Sequence, residues 1–302
     1  MSDKWFQELV NGESELIETR RYLHRHPELS FEETNTSAFV TERLRSYGIE
    51  VRTNVGGNGV LGYLQGGRPG PTIAFRADFD ALPIQDEKEA PYKSTVPGVM
   101  HACGHDGHTS TLLGVAKVLS KFRQELAGKI VFLFQHAEEK PPGGAKFMIE
   151  DGCLDGVDEV YGIHLSSEIP YGRIGLKAGP AMAAADAFAL TIKGKGGHGA
   201  RPHDTVDSVV IGSQIVSGLQ QIVSRRVNPL QPAVVSVGIF QAGTAFNVIA
   251  DKARLEGTVR TFDKQVRRQI EEEIRLFVKG ICESSRAEYE LEYVNGYPPL
   301  VN

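Results

Sequence analysis

The stretch of sequence that decides the fold is Lys129-Ile130-Val131-Phe132-Leu133-Phe134-Gln135-His136-Ala137-Glu138-Glu139. Its apolar part does not alternate with polar residues, a pattern typical of a strand buried on both faces of a parallel sheet. The next five residues, KPPGG, can continue neither strand nor helix. Glu138 and Glu139 therefore follow the carboxyl end of a buried strand, where open α/β sheets bind their ligands. Taken alone, such a pair is more typical of a solvated acidic turn.

Composition limits the class of protein. The chain has 302 residues, 41% hydrophobic and 24% charged, as in ordinary globular proteins. Two domains are expected, because single cores stop growing at about 250–300 residues. A formal net charge of -5 gives no basic surface for nucleic acid or anionic lipid. The N-terminus is polar, and no apolar run approaches the ~20 residues of a membrane span. The three cysteines are widely spaced, which argues against disulfides. The sequence therefore predicts a cytoplasmic protein.

Further metal-competent side chains follow other predicted elements. Residues 72–77 read as a strand, and alternation places Asp78 and Asp80 on one side of its carboxyl end. Residues 101–108, HACGHDGH, lead into an apolar helix predicted for residues 109–119. Within them, Cys103 and His105 form a Cys-x-His pair that suits zinc or a similar metal. A buried thiol beside a capping histidine would give the same pattern.

His164 is expected at the end of a strand within residues 157–165. A lone histidine on an apolar strand is usually a core residue. This strand is, however, the third in succession to end in a metal-competent or acidic side chain. The convergence favours a ligand role for His164.

The second half of the sequence predicts a separate domain. Residues 175–185 are rich in Gly, Ala and Pro, which suits a hinge. The predicted order after it is strand, helix, strand, strand, helix, strand, a ferredoxin-like βαββαβ unit, with Asp263 as the N-cap of its second helix. The glycine-rich loop at residues 194–203 lacks the Gly-Lys-Ser/Thr ending of a nucleotide cradle. Neither Asn247 nor Arg260 stands out by itself, since an arginine at a strand end is usually a surface charge.

Together these residues resemble the metal-dependent amidohydrolase family of hippurate hydrolases, N-acyl-amino-acid deacylases and plant auxin-conjugate hydrolases, within the clan of aminoacylases and two-zinc carboxypeptidases. The motifs that carry the resemblance are RYLHRHPEL at 21–29, RADFDALP at 76–83, HACGHDGH at 101–108, QHAEE at 135–139 and GHGARPH at 197–203. They occur in the family's order along nearly the whole chain, so the resemblance is specific at the family level.

The resemblance implies roles for individual residues. It implies two divalent metal ions per subunit, zinc or manganese with cobalt or nickel as further options, and Glu138 as general acid/base. It implies a homodimer through the inserted domain, in which His198 can reach the partner's active site. Asp80 matches the family's aspartate that lies behind the metal ligands. The implied metal ligands are Cys103, His105, Glu139 and His164, and the implied substrate contacts are His198, Asn247 and Arg260.

One motif of the family is missing. The family completes its metal site with a further histidine beyond the inserted domain, and no histidine follows His203 here. We therefore expect this chain to lack the C-terminal portion of its catalytic domain. With four ligands, a chain that ends at Asn302 is expected to hold at most one metal ion tightly, since four ligands satisfy one zinc ion. We expect that chain to be essentially inactive and a longer natural form to be active.

The sequence thus predicts an α/β protein in which a mostly parallel sheet flanked by helices forms a catalytic domain. Its expected domains are the metal-binding catalytic domain at 1–180, a ferredoxin-like lid and dimerisation domain at 181–296 and a return linker at 297–302. The expected reaction is hydrolysis of the amide bond of N-acyl amino acids by a metal-activated water and Glu138. The alternatives are a dipeptidase or carboxypeptidase of the same clan, and a metal-binding or regulatory homologue without catalysis. Neither nucleic acid nor a membrane is an expected partner.

Overall fold

The computed structural model describes residues 2–302, and side chains from residue 4 onward. The chain divides into two compact units, Met1–Gly172 and Arg173–Asn302. Each unit has its own hydrophobic core. Among the residues that the structure describes, no helix combines the length and the apolar composition that a membrane span requires.

The first unit is built on a five-stranded sheet. Its strands are β1 (Glu50–Val55), β2 (Gly59–Gln65), β3 (Arg68–Asp78), β4 (Ala127–Gln135) and β5 (Glu159–Gly162), in the spatial order β1-β2-β4-β3-β5. β3 pairs in parallel with both β4 and β5, whereas β1 pairs antiparallel with β2 and β2 antiparallel with β4. The sheet is therefore mixed: its β4-β3-β5 part is parallel, as predicted, and its β1-β2-β4 part is antiparallel. The cause is the short connection between β1 and β2, which permits only an antiparallel hairpin.

β4 is buried on both faces, as its unbroken apolar run predicts. Phe132 and Phe134 pack into the core on one face, and Val131 and Leu133 into the core on the other. The helices of this unit are α1 (Ser2–Asn11), α2 (Glu13–Arg25), α3 (Thr34–Ser46), α4 (His105–Lys121) and α5 (Gly144–Glu150). Because a core packs on each of its faces, β4 is fixed in the sheet, and so is the position of its carboxyl end, where Glu138 and Glu139 follow.

Two elements near the strand ends differ from the sequence prediction. α4 begins at His105 rather than at Thr109, so the HACGHDGH motif enters the helix. β5 ends at Gly162, and all four of its residues are exposed. His164 therefore lies beyond the strand and not at its apolar end, because the apolar run at residues 160–165 is not buried in a core.

The second unit contains a four-stranded antiparallel sheet with the spatial order β12-β7-β11-β9. Its strands and helices follow one another along the chain as β7 (Ala184–Lys193), α6 (Ser208–Gln221), β9 (Ala233–Ala242), β11 (Lys252–Thr261), α7 (Lys264–Ser284) and β12 (Glu288–Val294). The short strands are β6 (Pro180–Met182), β8 (Gly197–His198), β10 (Val248–Ile249) and β13 (Leu300–Val301), paired as β6 with β13 and β8 with β10. Both long helices contribute to the same core as the sheet.

Local signals at the helix ends of the second unit act as the sequence suggests. The side chain of Asp263 accepts hydrogen bonds from the backbone N–H groups of Gln265 and Val266, at 2.7 and 3.0 Å. It thereby satisfies two of the donors that a helix start leaves without an intrahelical partner.

Candidate metal centre

Metal-competent side chains meet at one edge of the first unit's sheet. β4, β3 and β5 are adjacent and parallel, so the loops after them leave from the same edge. Asp80 lies two residues after β3, Glu138 three residues after β4 and His164 two residues after β5. His105 opens α4 and reaches the same edge through hydrogen bonds to Asp80. Residues widely separated in the sequence thus form one cluster.

Cys103, His105 and His164 form the first group that could hold a metal ion. Their ligand atoms lie within 4.8 Å of one another. Cys103 Sγ is 3.4 Å from His164 Nε2. Two ligands of one tetrahedral zinc ion, with bonds of about 2.0–2.3 Å, lie roughly 3.5 Å apart. The spacing of this pair therefore fits a shared ion.

His105 also belongs to a second group, with Glu138 and Glu139. Its Nδ1–H donates to the carbonyl oxygen of Asp80 at 2.9 Å, with Asp80 Oδ1 at 3.2 Å. The lone pair of the neutral ring is then on Nε2, which is buried without a hydrogen-bond partner among the described residues. Glu139 Oε1, 3.8 Å away, is buried and lacks a partner in the same sense. Two orphaned buried atoms facing each other fit a metal between them, because an unsatisfied buried polar atom costs about 1–3 kcal/mol.

The electrostatics of the cluster also fit a cation. Burial lowers the pKa of His105, but its hydrogen bond to Asp80, its contact with Cys103 and the negative charges of Asp78 and Asp80 raise it to about 11. The cluster therefore attracts positive charge strongly. A bound divalent cation supplies the charge that a second proton on this ring would otherwise supply.

Asp80 holds two of the candidate ligands in place. Besides the His105 ring, its carboxylate accepts a hydrogen bond from the backbone N–H of Glu139 at 2.9 Å and one from Ser30 Oγ at 2.7 Å. Burial raises the pKa of Asp80, but these hydrogen bonds outweigh it and keep the pKa below its ordinary value. Asp80 thus stays ionised and orients the His105 ring and the Glu139 backbone together, as partners behind metal ligands commonly do.

Glu138 lies beside these groups in a half-buried position. Burial raises its pKa, and the negative charges of Glu139 and Asp78 raise it further. A carboxyl group whose pKa is raised towards neutrality suits proton transfer. Glu139 supplies an orphaned atom to the cluster and Glu138 an elevated proton affinity, so the two carboxylates are chemically distinct.

Sequence reasoning missed Glu33, which holds the turn that presents this pair. Glu33 is fully buried, and its Oε1 accepts the backbone N–H of Ala137 at 2.7 Å while its Oε2 accepts from Asn58 Nδ2 at 3.0 Å. Ala137 has a φ of 48°, in the left-handed region that non-glycine residues rarely adopt. The buried carboxylate stabilises this conformation immediately before Glu138.

The three histidines of HACGHDGH have different environments. His105 faces the cluster, whereas both ring nitrogens of His108 are engaged elsewhere. His101 is buried, and burial lowers its pKa to about 4. The density of histidines in this motif therefore does not translate into three ligands.

The residues proposed to contact substrate lie in the second unit and are exposed. His198 pairs with Val248 in the β8–β10 ribbon, and Gly199 N–H donates to the Asn247 carbonyl at 2.9 Å, so His198 and Asn247 are neighbours. Arg260 is near the far end of β11, opposite Ala185. The nine residues from Lys252 to Arg260 span about 26 Å of strand. Within one chain, His198 follows β7 on the side of Lys252, whereas Arg260 is near the other end of β11.

The chain is similar to known metal-dependent hydrolases. The profile of peptidase family M20/M25/M40 matches residues 74–302. A Bacillus subtilis protein named as an amidohydrolase, YhaA, is 59% identical over 95% of this chain and 73% of its own length. An N-acyl-L-amino acid amidohydrolase of Geobacillus stearothermophilus is 51% identical over 96% of this chain and 78% of its own length.

A solved structure is similar as well. It is a Bacillus subtilis protein described as a dinuclear metal binding peptidase from the M20 family. It superposes with a TM-score of 0.80 at 41% identity, covering 96% of this chain and 75% of that chain. At this identity the similarity extends beyond the fold to the family.

Proposed function

The chain belongs to peptidase family M20/M25/M40 and is a metal-dependent hydrolase, and we propose that it cleaves the amide bond of N-acyl amino acids. The observation that carries the proposal is the pair of orphaned buried atoms, His105 Nε2 and Glu139 Oε1, beside Glu138. The relative named as an N-acyl-L-amino acid amidohydrolase supports the substrate class. A dipeptidase or carboxypeptidase is the alternative, because the hydrolysis would be the same and only the pocket for the acyl group would differ.

In this proposal Cys103, His105, Glu139 and His164 are ligands of a centre of two divalent ions, zinc or manganese, and by themselves these four side chains satisfy one ion. A thiolate ligand favours zinc. When bound, the ions polarise the scissile carbonyl and lower the pKa of water. Glu138 accepts a proton from the attacking water at its carboxylate and then donates it to the nitrogen of the departing amine. Asp80 keeps His105 in the tautomer that presents Nε2 to the ion.

A matched substrate panel tests the reaction. Amine release is measured with metal supplied on N-acetyl, N-benzoyl and longer-chain conjugates of one amino acid, alongside a dipeptide and an N-acyl amino acid amide. We expect the conjugates to be cleaved faster than the dipeptide. The amide should be cleaved poorly, because Arg260 is proposed to pair with the free carboxylate through its planar donors. Preferential cleavage of the dipeptide would establish the alternative.

We further propose that residues 1–180 form the catalytic domain, that residues 181–296 form a lid and that the lid mediates a homodimer. β9 pairs with β11 alone among the described strands, and an open edge strand needs pairing or protection. The placement of His198 in β8 and of Arg260 near the far end of β11 also favours a dimer, because His198 of one subunit would then act with Arg260 of the other. We keep the cytoplasm as the proposed compartment, since a thiol ligand needs reducing conditions.

Subunit mixing tests this arrangement. His198→Ala and Arg260→Ala are each expected to be nearly inactive as homodimers. Reassociated in equal amounts, they should recover roughly a quarter of wild-type activity, because half of the dimers would carry one intact site. A mixture no more active than its parents, or a monomer at micromolar concentration by sedimentation, would contradict a site shared between subunits.

A further inference from the structure

His108 lies one helical turn after His105 and forms a candidate metal group with His105 and Asp78 by distance alone. Its hydrogen bonds exclude that role. His108 Nε2 is 2.8 Å from the backbone nitrogen of Leu165, and a backbone N–H can only donate. Nε2 must therefore accept, so the ring proton is on Nδ1 and is donated to Asp78 Oδ1 at 2.6 Å. No lone pair of His108 is left for a metal ion.

The acceptor of the His108 proton is itself fixed. Asp78 is fully buried at the end of β3, and its Oδ2 is 2.7 Å from Arg76 Nη1. The guanidinium of Arg76 is in turn held by Gln135 Oε1 at the end of β4, at 2.7 and 2.9 Å. The orientation of the His108 ring is thus set by the central strands of the sheet.

The other hydrogen bond of His108 is to the backbone next to His164, and the two histidine rings also lie against each other with centroids 4.6 Å apart. Leu165 N–H donates to His108, and the Leu165 carbonyl accepts the Nδ1–H of His164 at 2.6 Å. That second bond leaves His164 Nε2 free, 3.4 Å from Cys103 Sγ. A continuous series of hydrogen bonds therefore connects Asp78, through His108 and the Leu165 backbone, to the His164 ring.

Few other contacts hold this segment. β5 ends at Gly162, and the Ile163 and Leu165 side chains are 59% and 50% exposed. The Leu165 side chain lies against the first turn of α4, where a Cβ built on Gly107 would overlap Leu165 Cδ1. Gly107 thus leaves the space that lets Leu165 approach His108.

We propose that His108 is a positioning residue: it does not bind metal, but through the Leu165 peptide it fixes the place and the ring orientation of His164. The inference rests on the proposed role of His164 as a metal ligand. This positioning role gives a reason for His108, which follows His105 by three residues on the buried face of α4 and cannot itself bind metal.

Two variants separate the two hydrogen bonds of His108, and both remove its ring contact with His164. In His108→Gln, the side-chain oxygen reaches the Nε2 position and can accept the Leu165 N–H. In His108→Asn, the shorter amide reaches only Asp78. We expect the Leu165 amide of the metal-free His108→Asn protein to exchange hydrogen faster than in the wild type, with His108→Gln near the wild type. His203→Asn, at an exposed histidine of the second unit, is the control for loss of an imidazole.

Metal affinity is the second readout. Titration with cobalt(II) against a chelator should show a 10–100-fold weaker site in His108→Asn, as is typical when a partner behind a ligand is lost, and a smaller loss in His108→Gln. Equal affinity in His108→Asn and the wild type would overturn the proposal, as would equal losses in both variants with unchanged Leu165 exchange. His164→Ala distinguishes failure of this proposal from failure of the proposed ligands. Unchanged metal affinity in His164→Ala would mean that His164 is not a ligand, so the proposed set of metal ligands would be wrong as well.

Discussion

Replacement of Glu138 by Ala is expected to lower kcat by about 10²–10⁴-fold, the range for a positioned acid/base, while the metal content stays at the wild-type level. The reason is the division between the two carboxylates. Glu139 Oε1 is the orphaned atom that faces His105 Nε2, whereas Glu138 carries the raised pKa. Steady-state kinetics and elemental analysis of the same preparation measure both quantities.

Two further variants make this expectation specific. Glu138→Gln keeps the size and most hydrogen bonds of the side chain but cannot transfer a proton, so it should be as impaired as Glu138→Ala. Glu139→Gln should instead lose metal, because a neutral amide is a weaker ligand than a carboxylate. If Glu138→Gln turned over at a nearly normal rate, Glu138 would not be the acid/base.

The second large effect is expected at His105. His105 belongs both to the group with Cys103 and His164 and to the group with Glu138 and Glu139, so His105→Asn should weaken metal binding by more than the 10–100-fold typical of residues behind the ligands. Turnover should fall to the background of the metal-free protein. Asn is the informative replacement because its amide can still donate to the Asp80 carbonyl, which keeps the local fold while removing Nε2.

Metal analysis after dialysis, with a thermal melt as a measure of folding, checks this expectation. The melt should be close to that of the metal-free wild type. Cys153→Ser is the control, because Cys153 is buried in the core that contains Val131 and Leu133 and is not one of the candidate ligands. A full complement of metal in His105→Asn would remove His105 from the site.

The part of the fold that the sequence predicts well is the part that leaves a local pattern. β4 is an unbroken apolar run because both of its faces are buried, and its end is marked by prolines and glycines. The N-cap Asp263 is likewise a local signal, since its partners lie two and three residues away. The pattern of β4 alone places Glu138 and Glu139 at the edge of the sheet, without knowledge of any distant contact.

Strand direction and pairing are not encoded locally. β2 pairs with β4 rather than with β3, the next strand along the chain, and no periodicity of the sequence distinguishes these arrangements. β5 shows the opposite failure. An apolar run at residues 160–165 predicts burial, yet the strand is exposed and ends two residues before His164. An apolar run shows that a segment could be buried, but only the tertiary structure decides whether it is.

The supporting residues of the site are the least predictable. Glu33 bonds to Ala137, 104 residues away, and His108 bonds to Leu165, 57 residues away. Their local sequence reads as an ordinary helix start and as one more histidine in a dense motif. The candidate ligands can be inferred from residue type and strand ends, but the residues that orient them are visible only through long-range geometry.

X-ray absorption at the zinc edge tests the metal centre most directly. The central claim is that Cys103, His105, Glu139 and His164 bind the metal. Zinc-loaded protein should show a sulfur scatterer at about 2.3 Å with nitrogen or oxygen at about 2.0–2.2 Å. The sulfur signal should vanish in Cys103→Ser and persist in Cys153→Ser. A zinc site with nitrogen and oxygen alone, or a sulfur signal that survives in Cys103→Ser, would contradict the account.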